Sequence, residues 1–313
     1  MDNIDNLTAV ILTYKTNEKI LSDCLDSIDS KVKVLIVENS KNYLFKENIT
    51  KKYPGLNIIM TGKNFGYGKG NNFGITEVKT RYALILNPDV ILEQDFFKKI
   101  DKYLDQKINF HIIGANYRND STWKSSGLFS EFDKRVKFNN EEKSNHDSLE
   151  VVDWVSGNAM LVDLKKFDTR NLFDENIFLY FEEFDLCRRV KSREGKIYSG
   201  KDLYVKHLGK KSSTENNHNL EFELLRNWHW MWSTFYYQKK YYGYFYAVYK
   251  TYGKLFRSIF YFFLYAILLN TEKRKLYSAR TLGIINGILG KKSWYRVGSL
   301  FQWPGKLIML SAK

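Results

Sequence analysis

Leu84-Ile85-Leu86-Asn87-Pro88-Asp89 decides the fold: an apolar run with the pattern of a fully buried parallel strand ends abruptly at a polar turn. Pro88 cannot donate to a strand ladder and pushes Asn87 toward an extended backbone, so the strand stops with Asp89 at its lip. In open α/β sheets, ligands bind in the crevice outside the carboxyl ends of the strands, which makes this carboxylate a candidate for chemistry. A plain strand-terminating turn carrying a solvated aspartate fits the same six residues. Other segments must decide.

On both sides of the hexapeptide, strand-like and helix-like segments alternate. Residues 7–13 form a β-rich run; Ile20, Leu21, Cys24, Leu25 and Ile28 give residues 18–27 a helical period; residues 32–37 and 57–60 read as short strands, and 71–79 as a helix. Residues 82–86 are the strand quoted above, and 93–104 the next helix. This alternation predicts a mostly parallel, doubly wound sheet flanked by helices. Residues 110–150 are polar and irregular, with loop signals at 119–122 and 139–145, and are expected to wrap over the active face. Residues 153–164 turn apolar again, 176–190 read as a turn into a helix, and 203–207 as a short strand.

The 313-residue chain is long enough for one large or two ordinary domains. Its only cysteines, Cys24 and Cys187, are too few for a disulfide framework or a four-thiolate zinc site, which suits a reducing compartment. The acidic residues 1–6 lack the basic and apolar regions of a secretory signal, so the expected location is cytoplasmic. The net charge of +14 is concentrated: residues 226–313 hold 15 Lys and Arg against the single acid Glu272, together with 24 of the 51 aromatic residues. A basic, aromatic segment suits a membrane surface or a nucleic acid. Residues 255–269 are apolar but short of the roughly 20 residues a spanning helix needs, so a packed or interfacial helix is expected there. The predicted organisation is a catalytic part over 1–225 (nucleotide binding over about 1–105, acceptor and base over about 106–225) and a basic, aromatic helical extension over 226–313.

Three further motifs carry chemistry. Asn64-Phe-Gly-Tyr-Gly-Lys-Gly-Asn-Asn-Phe-Gly74 places four glycines just ahead of a helix, where backbone N–H groups could approach an anion; a simple loop has the same composition. It lacks the Gly-Lys-Ser/Thr ending of a Walker A loop. In residues 173–189, Glu182, Glu183 and Asp185 follow a run of apolar and aromatic residues, so at least one carboxyl should meet a low-dielectric wall and have a raised pKa, as a general base requires. Acids in the first turn with Arg188 and Arg189 behind them also complement a helix dipole, and both roles can coexist. His207, closing a short strand, is a candidate metal or diphosphate contact.

Taken in order, residues 10–14 (Val-Ile-Leu-Thr-Tyr), 36–40 (Ile-Val-Glu-Asn-Ser), 64–74, 86–89, 155–157 (Val-Ser-Gly) and 178–187 resemble the inverting family 2 glycosyltransferases, and within them the bacterial rhamnosyltransferase-like group. The resemblance covers about residues 7–210 and implies a GT-A fold, a nucleotide-diphospho-sugar donor (a dTDP- or UDP-sugar) and Mg²⁺ or Mn²⁺ as cofactor. It also implies roles. Thr13 and Tyr14 would line the nucleotide site, Glu38 would meet the pyrimidine ring, and Asn64, Gly70 and Asn71 would shape the nucleotide-ribose pocket, with Gly157 also in the donor site. Asp89 would hold the metal, with His207 as a second ligand, while Asn87 stands where many relatives carry an acid. Glu183 falls at the position of the catalytic base, with Glu182 and Asp185 as alternatives.

The implied reaction transfers a sugar, rhamnose being the favoured one, with inversion to a glycan or lipid-linked acceptor during synthesis of a bacterial surface polysaccharide such as lipopolysaccharide or capsule. The basic tail would rest on the anionic inner face of the cell membrane as a peripheral contact. Two other classes fit parts of the chain: a nucleic-acid-binding protein that stacks bases on the aromatic tail, and a catalytically silent nucleotide-binding scaffold. The first leaves the acid cluster unexplained, so nucleic acid is not the expected partner.

Overall fold

The computed structural model describes residues 3–118, 124–136, 138, 146–208 and 220–296. The loop signals at 119–122 and 139–145 lie outside them. Elements follow in the order β1 (Leu7–Thr13), α1 (Glu18–Leu25), β2 (Lys33–Glu38), α2 (Tyr43–Lys52), β3 (Asn57–Met60), α3 (Tyr67–Glu77), β4 (Tyr82–Leu86), β5 (Val90–Leu92), α4 (Phe96–Asp105), β6 (Ile112–Tyr117), β7 (Ser126–Gly127), β8 (Leu149–Val151), β9 (Trp154–Val155), β10 (Ala159–Asp163), α5 (Glu182–Lys191), β11 (Ile197–His207), α6 (Leu220–Tyr242), α7 (Tyr244–Ile267) and α8 (Thr271–Ile288). They fall into two compact units, one of residues 1–175 and 182–215, the other of residues 176–181 and 216–313. The compositional change at residue 226 thus falls inside α6.

In the first unit one sheet runs in the order β3-β2-β1-β4-β10-β6-β11-β5, with β8 also paired to β11. β3, β2, β1 and β4 are parallel, the half that the alternating pattern predicts. Beyond β4 the sheet is mixed: β10 is antiparallel to both β4 and β6, and β6 is parallel to β11. β4 and β10 are buried at every position, as strands covered on both faces must be, which explains why they read as unbroken apolar runs. Their side chains join those of α1 and α4 in the main core.

α1 begins where Asn17 accepts from the Lys19 and Ile20 amides at 2.9 and 3.3 Å, and it buries Leu21, Cys24 and Leu25. α3 differs from expectation. The helix opens at Tyr67, inside the glycine-rich segment, with only Gly66 (φ 83°) as its left-handed cap. The later glycines serve close packing: a Cβ on Gly74 would lie 2.6 Å from Val37 and 2.8 Å from Val10, and one on Gly70 2.7 Å from Leu12. Glycine here lets helix and sheet approach. Likewise β6 occupies the start of the segment expected to be irregular, and β11 runs eleven residues, with a register shift between Ser199 and Tyr204, instead of beginning at Leu203.

The second unit is built on α6, α7 and α8. α6 buries Trp228, which stacks on Trp232 and leans on Tyr295, and a Cβ on Gly283 of α8 would lie 2.3 Å from the Trp228 carbonyl oxygen, so the two helices cross in backbone contact. His229 is enclosed, with Nε2 2.9 Å from the Tyr295 carbonyl and Nδ1 2.9 Å from the Ser293 hydroxyl. Burial pushes its pKa down to about 3 from 6.5. Its unfolded form binds a proton below pH 6.5 while the folded form does not until pH is near 3, so stability should fall progressively as pH drops through that window. Thermal melts from pH 7 to pH 4 check this: the loss should be smaller in His229→Gln than in the parent chain.

Candidate active site

The carboxyl edge of the sheet gathers the expected residues because β1, β2, β4, β6 and β11 all end there and β10 begins there. Thr13 and Glu38 are register partners at the ends of β1 and β2. The Thr13 hydroxyl donates to one Glu38 carboxylate oxygen at 2.7 Å and the Ser40 hydroxyl to the other. Burial nevertheless raises the Glu38 pKa, the two hydroxyls opposing it. Tyr14 continues past the strand end, its backbone N–H donating to the Thr16 hydroxyl at 3.1 Å. Asn39 organises the turn before α3: its Oδ1 accepts from the Phe65 amide at 2.9 Å, and its Nδ2 donates to Asn64 Oδ1 at 3.2 Å and to the Gly66 carbonyl at 3.1 Å. Gly70 faces Leu12 and Asn39, and Asn71 is buried with Nδ2 donating to the Tyr67 carbonyl while its Oδ1 has no partner.

At the end of β4, the turn holds Asp89 buried, with His207 Nε2 3.5 Å from its Oδ2. The His207 ring stacks on Tyr117 at 5.6 Å. Asn87 is fixed by Asn158: its backbone N–H donates to the Asn158 carbonyl at 2.9 Å and its Nδ2 to Asn158 Oδ1 at 2.7 Å. Asn158 in turn donates to the Tyr117 hydroxyl, which bonds Ser156. Among the described residues no group of three or more His, Cys, Asp or Glu side chains converges as a complete cation cage. A divalent cation held by Asp89 and His207 would take its remaining ligands from a substrate diphosphate and water; cis ligands on an octahedral ion with bonds of about 2.0–2.1 Å stand about 2.9 Å apart, so this 3.5 Å pair would have to close by roughly 0.6 Å to share one ion. Asn87 donates its Nδ2 to Asn158, which fixes the plane of its amide at the strand end.

The acid cluster opens α5. Tyr180 and Phe181 hold left-handed backbones, φ 71° and 74°, strain of about 1–2 kcal/mol per residue that turns the chain abruptly into Glu182. The three acids then differ. Asp185 is fully buried and accepts from Arg189 Nε at 2.8 Å, an ion pair one turn apart; Arg189 also donates to the Leu172 carbonyl. Glu182 is buried, its Cγ 3.3 Å from where a Cβ on Gly68 would stand. Glu183 keeps partial solvent access, yet the protein around its carboxyl raises its pKa, opposed only by its own backbone amide. Tyr67 ties this cluster to the strand edge. Its hydroxyl donates to the Gly157 carbonyl at 2.6 Å, and burial, then Glu183 and Glu182, hold that hydroxyl protonated far above its ordinary range.

Comparison with known proteins agrees with this geometry. Residues 8–163 match the family described as Glycosyl transferase family 2. Rhamnosyltransferase WbbL of Escherichia coli is 30% identical over 189 residues, 55% of this chain and 71% of that protein. The chain belongs to glycosyltransferase family 2. A second relative, the N-acetylglucosaminyl-diphospho-decaprenol L-rhamnosyltransferase of Mycobacterium tuberculosis, is 24% identical over 219 residues, 59% of this chain and 70% of that one. The solved mannosyltransferase from Pyrobaculum calidifontis, in complex with GDP-Man and Mn²⁺, superposes with a TM-score of 0.51 at 8% identity, covering 91% of this chain and 88% of that one. The fold is GT-A, a helix-flanked mixed sheet, and the activity is glycosyl transfer.

For a family 2 glycosyltransferase, the edge holds residues that the sequence alone did not single out. Asn158, Tyr117, Tyr67 and Asn39 hold Asn87, His207, Gly157 and the turn before α3. Tyr67 and Asn39 lie inside the quoted motifs 64–74 and 36–40, and Asn158 directly follows residues 155–157; that placement is the signal that could have found them. Tyr117 carries no such mark apart from closing an apolar strand.

Proposed function

We propose that this glycosyltransferase is an inverting, hexosyltransferase-type enzyme that moves rhamnose from a nucleotide-diphospho-sugar, a dTDP- or UDP-sugar, to a glycan or lipid-linked acceptor in the synthesis of bacterial surface polysaccharide. The observation that carries the reading is the Glu183 carboxyl, raised in pKa and linked through Tyr67 to the strand edge that bears Asn87, Asp89 and His207. The relatives' names favour the sugar and the class of acceptor. In the reaction, Glu183 takes the proton from an acceptor hydroxyl as that oxygen bonds to the anomeric carbon, and the bond from that carbon to the diphosphate oxygen breaks with its electron pair leaving on the diphosphate. A carboxylate with a raised pKa accepts a proton more readily than an ordinary one. Glu182 and Asp185 are the alternative bases, and of these Asp185 is already committed to Arg189.

Thr13, Tyr14, Glu38, Asn64, Gly70, Asn71 and Gly157 form the donor pocket in this reading. Asp89 and His207 would hold Mg²⁺ or Mn²⁺, which when bound would offset charge on the departing diphosphate. The enzyme works on the cytoplasmic side, at the inner face of the membrane. Slow donor hydrolysis tests the reading without knowledge of the acceptor: incubated with UDP-, dTDP- and GDP-sugars, the full chain should release nucleoside diphosphate from one donor, dTDP-rhamnose foremost. Release from none, together with tight binding of single-stranded nucleic acid, would reverse the assignment.

A further inference from the structure

α7 carries its large residues on the wrong side for a packed helix. Its fully buried positions are Ala247, Thr251 and Ser258, the small residues that meet the neighbouring helices of its own unit. The opposite side exposes a stripe at helical spacing through Phe245, Tyr249, Tyr252, Phe256, Phe260, Phe263 and Ile267, of which Phe245 is 87%, Phe256 68%, Phe260 62% and Ile267 79% exposed. Leu268 and Leu269 extend it past the helix end at 60% and 87% exposure. A helix of 24 residues is about 36 Å long, so the stripe runs the length of a small domain. Scattered exposed apolar side chains are ordinary on a protein surface; a contiguous row of this length marks a binding face.

The charge beside the stripe selects the occupant. Lys250 and Arg257 on α7 and Lys273 on α8 make no salt bridge among the described residues. Lys250, Arg257 and Lys273 instead lie over the rings of Tyr246, Tyr261 and Tyr265 at 5.6, 5.6 and 5.1 Å. The nearest acid in sequence is Glu272. Tyrosine and phenylalanine in the apolar row with lysine and arginine at its border is the pattern of a helix lying in the plane of a lipid headgroup layer. No helix among the described residues is long and apolar enough to cross a membrane.

We propose that the outward face of α7 is a docking surface for an anionic lipid bilayer, its aromatic stripe entering the headgroup and acyl boundary while the flanking cations meet lipid phosphates. The claim rests on exposure and charge within the helical unit and stands apart from the reading of the chemistry. The test uses the full chain, without donor or acceptor, and vesicles of phosphatidylcholine with and without phosphatidylglycerol. The parent should co-sediment with the phosphatidylglycerol vesicles and release at high salt. Phe256→Asp/Phe260→Asp should bind about ten- to hundredfold more weakly, and Lys250→Glu/Arg257→Glu about tenfold more weakly. Because all four side chains are exposed, circular dichroism and donor hydrolysis should stay at the parent level in both variants. Unchanged vesicle binding in the aromatic variant overturns the proposal. So does a parent that ignores vesicles and instead forms a dimer that the same substitutions dissociate, which would assign the stripe to a second copy of the chain. Intact vesicle binding with no donor turnover would leave the surface standing and count against the chemistry alone.

Discussion

Glu183→Gln is expected to lower kcat by about 10²- to 10⁴-fold while leaving donor affinity close to the parent value. The amide has almost the same shape as the carboxyl but cannot accept the acceptor's proton, so the loss falls on the bond-forming step. Steady-state transfer kinetics, paired with calorimetric binding of a nucleoside diphosphate, separate the two effects. The pH profile adds a second check. Glu183 must be ionised to act, and its raised pKa keeps it protonated to higher pH than an ordinary glutamate. The acid limb of kcat should therefore fall at higher pH than a solvated carboxylate would give, and Glu183→Gln should abolish that limb. Parent-like turnover in Glu183→Gln would move the role to Glu182. Asp185→Asn is the informative contrast: it breaks a pair in which Asp185 is buried but Arg189 is half-buried, and should cost stability first, on the order of 1.5–3 kcal/mol, readable as a lower unfolding midpoint.

The parts legible in the sequence are those in which local chemistry and burial agree. Leu84–Asp89 could be read as a strand and its end because a strand covered on both faces is apolar throughout and Pro88 ends it; residues 182–191 could be read as a helix because first-turn acids with Arg188 and Arg189 behind them complement its dipole. α3 misled at its start because glycine is a poor helix former, and only the proximity of Val10, Leu12 and Val37 explains why it is there. β6 was hidden by Gly114, Ala115 and Asn116, weak strand formers that tertiary packing overrides; a Cβ on Gly114 would lie 2.4 Å from Val155, some forty residues along the chain. The network from Asn87 through Asn158 to Tyr117 was illegible for the same reason: its members are common polar residues brought together only by strand order. For the tail, composition revealed a basic aromatic segment but not which side of each helix is covered. Trp228 and Phe235 pack inward as an ordinary core, whereas the aromatics of α7 do the reverse.

Asp89→Ala should abolish the Mn²⁺-dependent part of nucleoside diphosphate binding and reduce transfer at least about a hundredfold, a larger loss than any other single change at the strand edge. Asp89 is the one carboxylate in the Asn-Pro-Asp turn, and with it gone the cation would depend on His207 alone, a neutral ligand. Mg²⁺ and Mn²⁺ prefer oxygen donors, so an imidazole without its carboxylate should not retain either ion. Titration of a nucleoside diphosphate with and without Mn²⁺ reads this directly: the parent should gain affinity from the ion and Asp89→Ala should not. Asn87→Asp makes the second half of the argument. On charge alone an added acid beside Asp89 should tighten the cation, but the Asn87 amide donates to Asn158 Oδ1, and an aspartate there would set oxygen against oxygen. The expected result is therefore a loss of stability with no gain in Mn²⁺ affinity. Tighter Mn²⁺ binding in Asn87→Asp would show that the amide is free to leave Asn158, and full activity of the parent in EDTA would mean that side chains alone offset the leaving-group charge, with the cation assigned to Asp89 and His207 playing no part.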